Sequence, residues 1–211
     1  MWRKYLYAAS SAIIALSLLV DSLNATVVYP LEIFTHNGSY YDSPDIDLYV
    51  ELSERETCVD FTFRNESIIE SSISRIYFAG GSFLSFAEII EGPGTSFNQP
   101  ATPARLPGDK LLELPLPTTD VVSFDSDPAV PHNGINPGEW VTMTFDLINN
   151  GTFLNVTDDL NTGTLWIGVH VVALPDGSSE SAIAVPDPNT LFLLGLGSLA
   201  LLRARKRQFR D

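Results

Sequence analysis

The chain has 211 residues, of which 45% are hydrophobic, and its formal net charge at pH 7 is −14. Nucleic acid is excluded as a natural partner, because its phosphate backbone is bound through clustered Lys and Arg side chains that an acidic surface lacks. An intrachain disulfide is excluded as well, since Cys58 is the single cysteine of the sequence.

The first 25 residues predict a secretory signal peptide. Arg3 and Lys4 form a cationic start, residues 8–20 form an apolar segment, and Ala25 supplies a small residue before the expected cleavage site. The alternative is an uncleaved N-terminal anchor. We expect residues 1–25 to direct export through the general secretion machinery.

Residues 26–185 are the expected exported domain. This part contains five Lys and Arg against 23 Asp and Glu, which gives a net charge of −18. Its length suits one domain with a sizeable core. The acidity favours solubility outside the cell and association with divalent cations.

Short alternating apolar runs separated by turn residues dominate this domain and predict strands. The segment 53–56 is predicted as the turn of a first antiparallel hairpin. Residues 74–79 and 83–90 fit either central strands or a second hairpin. Six prolines between 92 and 117 exclude a central strand there. The predicted strands lie at 47–52, 59–63, 74–79, 83–90, 121–124, 139–148, 164–174 and 181–185.

One short helix is predicted, with Thr152 as N-cap, Leu160 in its last turn and Gly163 as its stop. The predicted fold class is therefore all-β. We expect a single antiparallel β-sandwich, immunoglobulin-like in the broad sense, flanked by the signal peptide and a C-terminal transmembrane helix.

No catalytic residues are predicted. The three histidines, His36, His132 and His170, lie in unrelated sequence contexts, and the chain has no Gly-x-Ser-x-Gly motif. Acyl transfer needs a nucleophile, a base and an orienting group brought together. A secreted hydrolase is therefore the less favoured alternative, and no cofactor is expected apart from calcium.

Two acidic side chains, Asp125 and Asp127, are the candidate calcium ligands. They are two residues apart and precede a loop rich in carbonyl groups, and hard cations prefer such oxygen ligands. A second acidic set consists of Asp42, Asp45 and Asp47. The alternative interpretation of both sets is a solvated acidic turn.

Trp140 and Trp166 are the candidate sugar-stacking residues, together with Tyr40 and Tyr41. Both tryptophans alternate with polar or small residues, so an outer face of the sheet could expose them. Packing in the core or at an edge is the alternative. Exposure would favour a carbohydrate-binding module that recognises exopolysaccharide.

The C-terminal residues 186–211 read as a membrane-sorting signal. A Pro-acid-Pro turn precedes an apolar helix predicted at 190–202, whose 13 residues span about 20 Å. The cations that follow should stay cytoplasmic, which leaves the domain on the other side of the membrane. The motif residues are Val185, Pro186, Asp187 and Pro188, and the cations within 203–210 are Arg203, Arg205, Lys206, Arg207 and Arg210.

These three parts, in this order, resemble the PEP-CTERM sorting signal of Gram-negative bacteria, with Asp187 at the position of the usual Glu. The body resembles small PEP-CTERM proteins at residues 65–67, 74–78, 134–139 and 175–181. The resemblance implies export, transient membrane anchoring, cleavage by exosortase near residues 186–188 and release to the surface. We therefore expect a non-enzymatic cell-surface or extracellular-matrix protein.

Overall fold

The computed structural model describes residues 25–112 and 121–186. The expected signal peptide before Ala25 and the expected helix at 190–202 lie outside the described residues. Within the described ranges the protein has ten strands, one α-helix and a short 3-10 turn at Asp109–Leu111. The strands are β1 Thr26–Ile33, β2 Leu48–Arg55, β3 Cys58–Asn65, β4 Ser72–Gly80, β5 Leu84–Glu91, β6 Phe97–Asn98, β7 Val122–Ser126, β8 Trp140–Leu147, β9 Leu165–Val172 and β10 Glu180–Ala184.

All ten strands form one continuous antiparallel sheet in the order β5-β8-β3-β2-β1-β10-β9-β4-β7-β6. Strand β1 joins its two halves, because residues 26–30 pair with β2 whereas residues 31–33 pair with β10. Pro30, which has no N–H to donate, marks the change of partner. The predicted all-β class is confirmed, but a sandwich of two separate sheets is not.

The two halves of the sheet pack against each other through one aromatic core. Phe78 of β4 contacts Phe61 of β3 and Phe145 of β8, with ring centroids 5.1 and 4.7 Å apart. Phe86 of β5 reaches Phe124 of β7 at 5.0 Å. Strict alternation of buried and partly exposed residues along β3 turns one face inward, as the sequence predicted. Each half therefore has an inner face and an outer face, and the two outer faces lie on opposite sides of the molecule.

One strand was missed by sequence reasoning, one turn was misplaced and one hairpin offered as an alternative is wrong. Strand β1 was not predicted, because Pro30 interrupts its pattern and the segment directly follows the expected signal peptide. The first hairpin turn lies at residues 56–57 rather than 53–56, since β2 continues to Arg55. Residues 74–79 and 83–90 do not form a hairpin, because β4 pairs with β7 and β9 whereas β5 pairs with β8. The alternative of central strands is confirmed for 74–79 but not for 83–90, since β5 lies at the sheet edge.

The predicted helix is confirmed as α1, Phe153–Thr162. The Thr152 hydroxyl accepts a hydrogen bond from the Asn155 N–H at 3.2 Å, and Gly163 ends the helix with a φ of 74°. Tyr29 of β1 packs beneath α1, and burial raises the pKa of Tyr29 to about 12. The helix therefore closes one end of the core between β8 and β9.

Strand directions define two ends of the molecule. The exit end carries Ala25, Pro186, the turn at 56–57, the connection from Ile148 to Thr164 and helix α1. The loop end carries the connections at 34–47, 66–71, 92–96, 127–139 and 173–179. Both described chain ends therefore leave from the same end of the sheet. Within the two described ranges, no helix is long and apolar enough to cross a membrane.

Candidate functional site

The sorting motif predicted from residue 185 onwards begins directly at the sheet. Strand β10 lies between β1 and β9, and its last residue, Ala184, pairs with Leu31. The Val185 N–H then donates to the carbonyl oxygen of Pro30 at 3.1 Å. Asp187, Pro188 and the cations at 203–210 lie outside the described residues, as does most of the predicted signal. The described part shows no linker between the last strand and the motif.

The other end of β10 is fixed by a buried carboxylate that the sequence did not single out. Glu180 is fully buried, and its Oε1 accepts hydrogen bonds from the N–H groups of Asn37 and Gly38, both at 2.8 Å. Its Oε2 accepts from the Thr35 hydroxyl at 2.5 Å. A buried carboxylate is tolerated only where such donors replace water. Glu180 therefore ties β10 to the loop that follows β1.

The turn between β9 and β10 tightens the same junction. Asp176 Oδ2 accepts from the N–H and the hydroxyl of Ser39, at 2.8 and 2.9 Å. Gly38 leaves the necessary space, because a Cβ atom there would lie 2.1 Å from the Ser178 Oγ. These contacts give residues 175–181, which are part of the resemblance in the body, a structural role in this junction.

A second polar cluster at the loop end is centred on Asn65, which is fully buried. The Asn65 Nδ2 donates to the Ile135 carbonyl at 3.0 Å, and the Asn65 backbone carbonyl accepts from the Gly138 N–H at 2.7 Å. The Glu139 carboxylate in turn accepts from the Asn136 N–H at 2.9 Å. Segments 65–67 and 134–139, which also carried the resemblance, are thus in contact. Their described contacts hold loops together.

The histidines are placed in three different elements. His36 lies in the β1–β2 loop, His132 in the β7–β8 loop and His170 on β9. His170 Nδ1 is 3.3 Å from the Ser181 hydroxyl, but Ser181 is only 1% exposed. Burial, reinforced by the neighbouring Arg75 charge, lowers the pKa of His170. A substrate cannot reach a buried serine, so this pair lacks the accessible nucleophile that an acyl-transfer site requires.

The candidate calcium ligands already have protein partners. Asp125 Oδ1 lies 3.1 Å from the Arg75 Nε, and its Oδ2 accepts from the Thr102 N–H at 3.2 Å. Asp127 accepts from the Ser96 hydroxyl at 2.9 Å and also from the Asn98 side-chain amide. No group of three or more His, Cys, Asp or Glu within 25–112 and 121–186 is arranged to hold a metal ion.

The two candidate tryptophans lie on opposite sides of the molecule. Trp140 begins β8 on the outer face of one half, next to Gly92, whereas Trp166 lies on the outer face of β9 in the other half. Both side chains are partly buried. Trp166 packs against a second, smaller cluster formed where the proline-rich loop covers β9 and β4. The two rings therefore cannot form one sugar-binding platform.

Sequence reasoning missed a pocket at the loop end. It has a volume of about 440 Å³ and lies between the loops 66–71, 127–139 and 173–179. Ile68, which is 85% exposed, lines this pocket together with Glu70, His132 and Asn136. The pocket is built from three loops distant in sequence, so no local pattern could have indicated it.

The exposed aromatic pair at the loop end is Tyr41 with His36. Their ring centroids are 4.2 Å apart, and Tyr41 is 39% exposed. Tyr40, by contrast, packs against the main core. Among the four aromatic candidates for stacking on a sugar, Tyr41 thus has the best-presented ring.

Comparison with known proteins identifies the motif at the exit end. Residues 184–207 match the family model described as the PEP-CTERM protein-sorting motif. No curated protein and no solved structure matches the chain. The chain carries a PEP-CTERM motif, which begins at Ala184, the last residue of β10, and marks an exported protein sorted by exosortase.

Proposed function

We propose that this chain, which carries a PEP-CTERM motif, is a non-enzymatic protein delivered to the cell surface or extracellular matrix. The motif match at 184–207 carries the proposal. In the proposed sequence of events the signal peptide at 1–25 starts export through the secretion machinery. The helix at 190–202 then holds the chain in the membrane, with the cations at 203–210 on the cytoplasmic side.

Exosortase is the proposed processing partner. It would cut near Pro186, Asp187 and Pro188 and release the acidic domain from its anchor. The high negative charge of residues 26–185 keeps such a released domain soluble and limits its association with other acidic surfaces. Membrane association is therefore transient in processed molecules and lasting in unprocessed ones.

A structural rather than catalytic role is supported by the way polar side chains are used. Glu180, Asn65 and Asp127 all accept or donate hydrogen bonds that fix loops. The buried His170–Ser181 pair offers a substrate no access. These observations favour a domain that acts by presenting a surface.

Intact mass spectrometry of the protein from membrane, surface and medium tests this proposal. In a host with exosortase we expect a species that begins near Thr26 and ends near residue 186. A host without exosortase should retain the full tail in the membrane fraction. Recovery of the chain from the cytosol in both hosts would contradict the proposal.

A second candidate function is binding of exopolysaccharide at the loop end. The exposed Tyr41 ring, supported by His36, is the observation that favours it. Retention on host exopolysaccharide should fall in Tyr41→Ala and persist in Tyr40→Phe, since Tyr40 is packed on the core. Equal retention of Tyr41→Ala and the unchanged chain would remove this candidate.

A further inference from the structure

We infer that the exit end of the domain lies against the lipid surface while the tail is uncleaved, so that the loop end points away from the membrane. This inference rests on the proposed function, because it requires the segment 191–202 to be inserted in a bilayer. It adds an orientation and an interaction surface, which the sorting motif by itself does not specify.

The first argument is the position at which the chain leaves the sheet. Ile183 pairs with Gly168, so Pro186, three residues later, lies level with Leu165, the first residue of β9. The Val185 N–H remains bonded to Pro30. Against β9 the chain is therefore part of the sheet almost to the rim of the exit end, whereas against β1 it leaves at the level of Tyr29, and β1 continues beyond it to Thr26.

The second argument is the length of the tether. Only residues 187–190 separate Pro186 from the apolar run 191–202. The five Cα–Cα steps from Pro186 to Leu191 span at most about 18 Å even when the chain is fully extended. Strand β3 alone, which runs from the exit end to the loop end, is about 24 Å long. The tether is thus too short for the domain to turn over and place its loop end on the membrane.

The third argument is the chemistry of the two ends. The exit end exposes Leu154 at 66% and Ile148 at 38%, and the loop end exposes Ile68 at 85% and Val130 at 42%, so exposed apolar side chains do not distinguish the two ends. The five connections of the loop end contain eight Asp and Glu and no Lys or Arg. The exit-end segments 56–57 and 148–164 contain three Asp and Glu and also no Lys or Arg, so anionic lipid headgroups repel the loop end more strongly than the exit end.

A pair of matched fluorescent labels tests the orientation. The full chain, recovered uncleaved from cells without exosortase, is reconstituted in vesicles of phosphatidylethanolamine and phosphatidylglycerol. Thr57→Cys in the exit-end turn and Asp42→Cys in the loop end are compared, each in a Cys58→Ser background. A membrane-impermeant maleimide dye labels only outward-facing molecules, and a nitroxide on the lipid headgroups quenches dyes that approach the surface.

We expect the nitroxide to quench the label at residue 57 strongly and to leave the label at residue 42 nearly unquenched, because the two labels are separated by the length of β3. Equal quenching of both labels, or stronger quenching at residue 42, would overturn the inference. Failure of the chain to associate with vesicles at all would instead count against the proposed anchoring. The two failures are therefore distinguishable.

A longer tether gives an independent check. Insertion of a twenty-residue Gly/Ser segment between Asp187 and Pro188 should release the orientation, since such a linker behaves as a flexible coil. The quenching difference between the two labels should then be largely lost. Persistence of the full difference would show that Leu154 and Ile148 hold the surface without help from the tether, and Leu154→Ser with Ile148→Ser should then abolish it. Persistence in that last chain as well would contradict the inference.

Discussion

The two ends of strand β10 are held in different ways. At Glu180 a buried carboxylate receives hydrogen bonds from three donors, and the Ser181 N–H donates to the Thr35 hydroxyl at 2.7 Å. At Val185 the one described hydrogen bond is that to Pro30. Local opening of a protein starts where such contacts are fewest. The strand is therefore anchored at the loop end and can open from the exit end, where the sorting motif begins.

This asymmetry fits the proposed processing, in which the chain is cut at one end and keeps its shape at the other. A processing enzyme needs an extended backbone that it can reach, which a weakly held strand end supplies. The loops at the far end form their surface from residues distant in sequence, so that surface depends on buried polar contacts. The predictions below test this difference, beginning with the largest expected effect.

Among the side-chain truncations, removal of the Glu180 carboxylate should cause the largest loss of stability. In Glu180→Ala three donors lose their acceptor, and we expect the free energy of unfolding to fall by about 3 kcal/mol. Urea denaturation of the released protein measures this change. Glu180→Gln is the matched control, since it keeps the volume and one acceptor oxygen and should lose less. A smaller loss of stability in Glu180→Ala than in Glu180→Gln would contradict the role assigned to the carboxylate.

Removal of the Asn65 amide should have the next largest effect. The side chain donates to the Ile135 carbonyl and contacts the Ser71 hydroxyl inside the protein. We expect Asn65→Ala to lower the free energy of unfolding by about 2 kcal/mol, because buried acceptors lose their donor. Asn133→Ala, at a partly exposed loop position, is the control. Equal effects in the two variants would show that the Asn65 cluster does not hold the loop end.

Much of the fold follows from local patterns that the sequence displays. The alternation along β3 and β8 and the Thr152 and Gly163 signals of α1 depend on neighbouring residues, so these elements could be predicted. Strand pairing depends on residues far apart in the chain. The same reasoning therefore could not establish that β4 and β5 lie in opposite halves, or that β1 changes partner at Pro30.

The candidate sites show the same limit. The sorting motif could be predicted because its parts are contiguous, and the match at 184–207 confirms it. Glu180 and the pocket at Ile68 arise from separate segments that meet in space. Sequence patterns also cannot show that Asp125 faces Arg75, or that Trp140 and Trp166 lie on opposite sides. Their roles in binding calcium or sugar remain predictions.

The pH dependence of stability gives a smaller effect, centred on His170. Burial and then the Arg75 charge lower the pKa of His170, whereas the Glu180 and Asp125 charges oppose that shift. Because the unfolded chain binds the proton more tightly, stability is fully present above the unfolded pKa of about 6.5 and is lost as the pH falls below it. The urea midpoint should therefore decrease between pH 7.5 and 5.5. His170→Gln should flatten this part of the profile, and an unchanged profile would contradict the assignment.

The smallest effect is expected at the exit end itself. Val185→Pro removes the N–H that donates to Pro30, and we expect a loss of at most about 1 kcal/mol, since one partly exposed hydrogen bond is broken. Ile183→Pro is the matched control, because the same change inside a central strand should cost about 3 kcal/mol or more. Amide hydrogen exchange of the unchanged chain adds a second measurement: the Val185 amide should exchange faster than the Ser181 amide. Similar costs for the two prolines, with similar exchange rates, would mean that β10 opens as a unit, and the sorting motif would then become accessible only when the whole strand leaves the sheet.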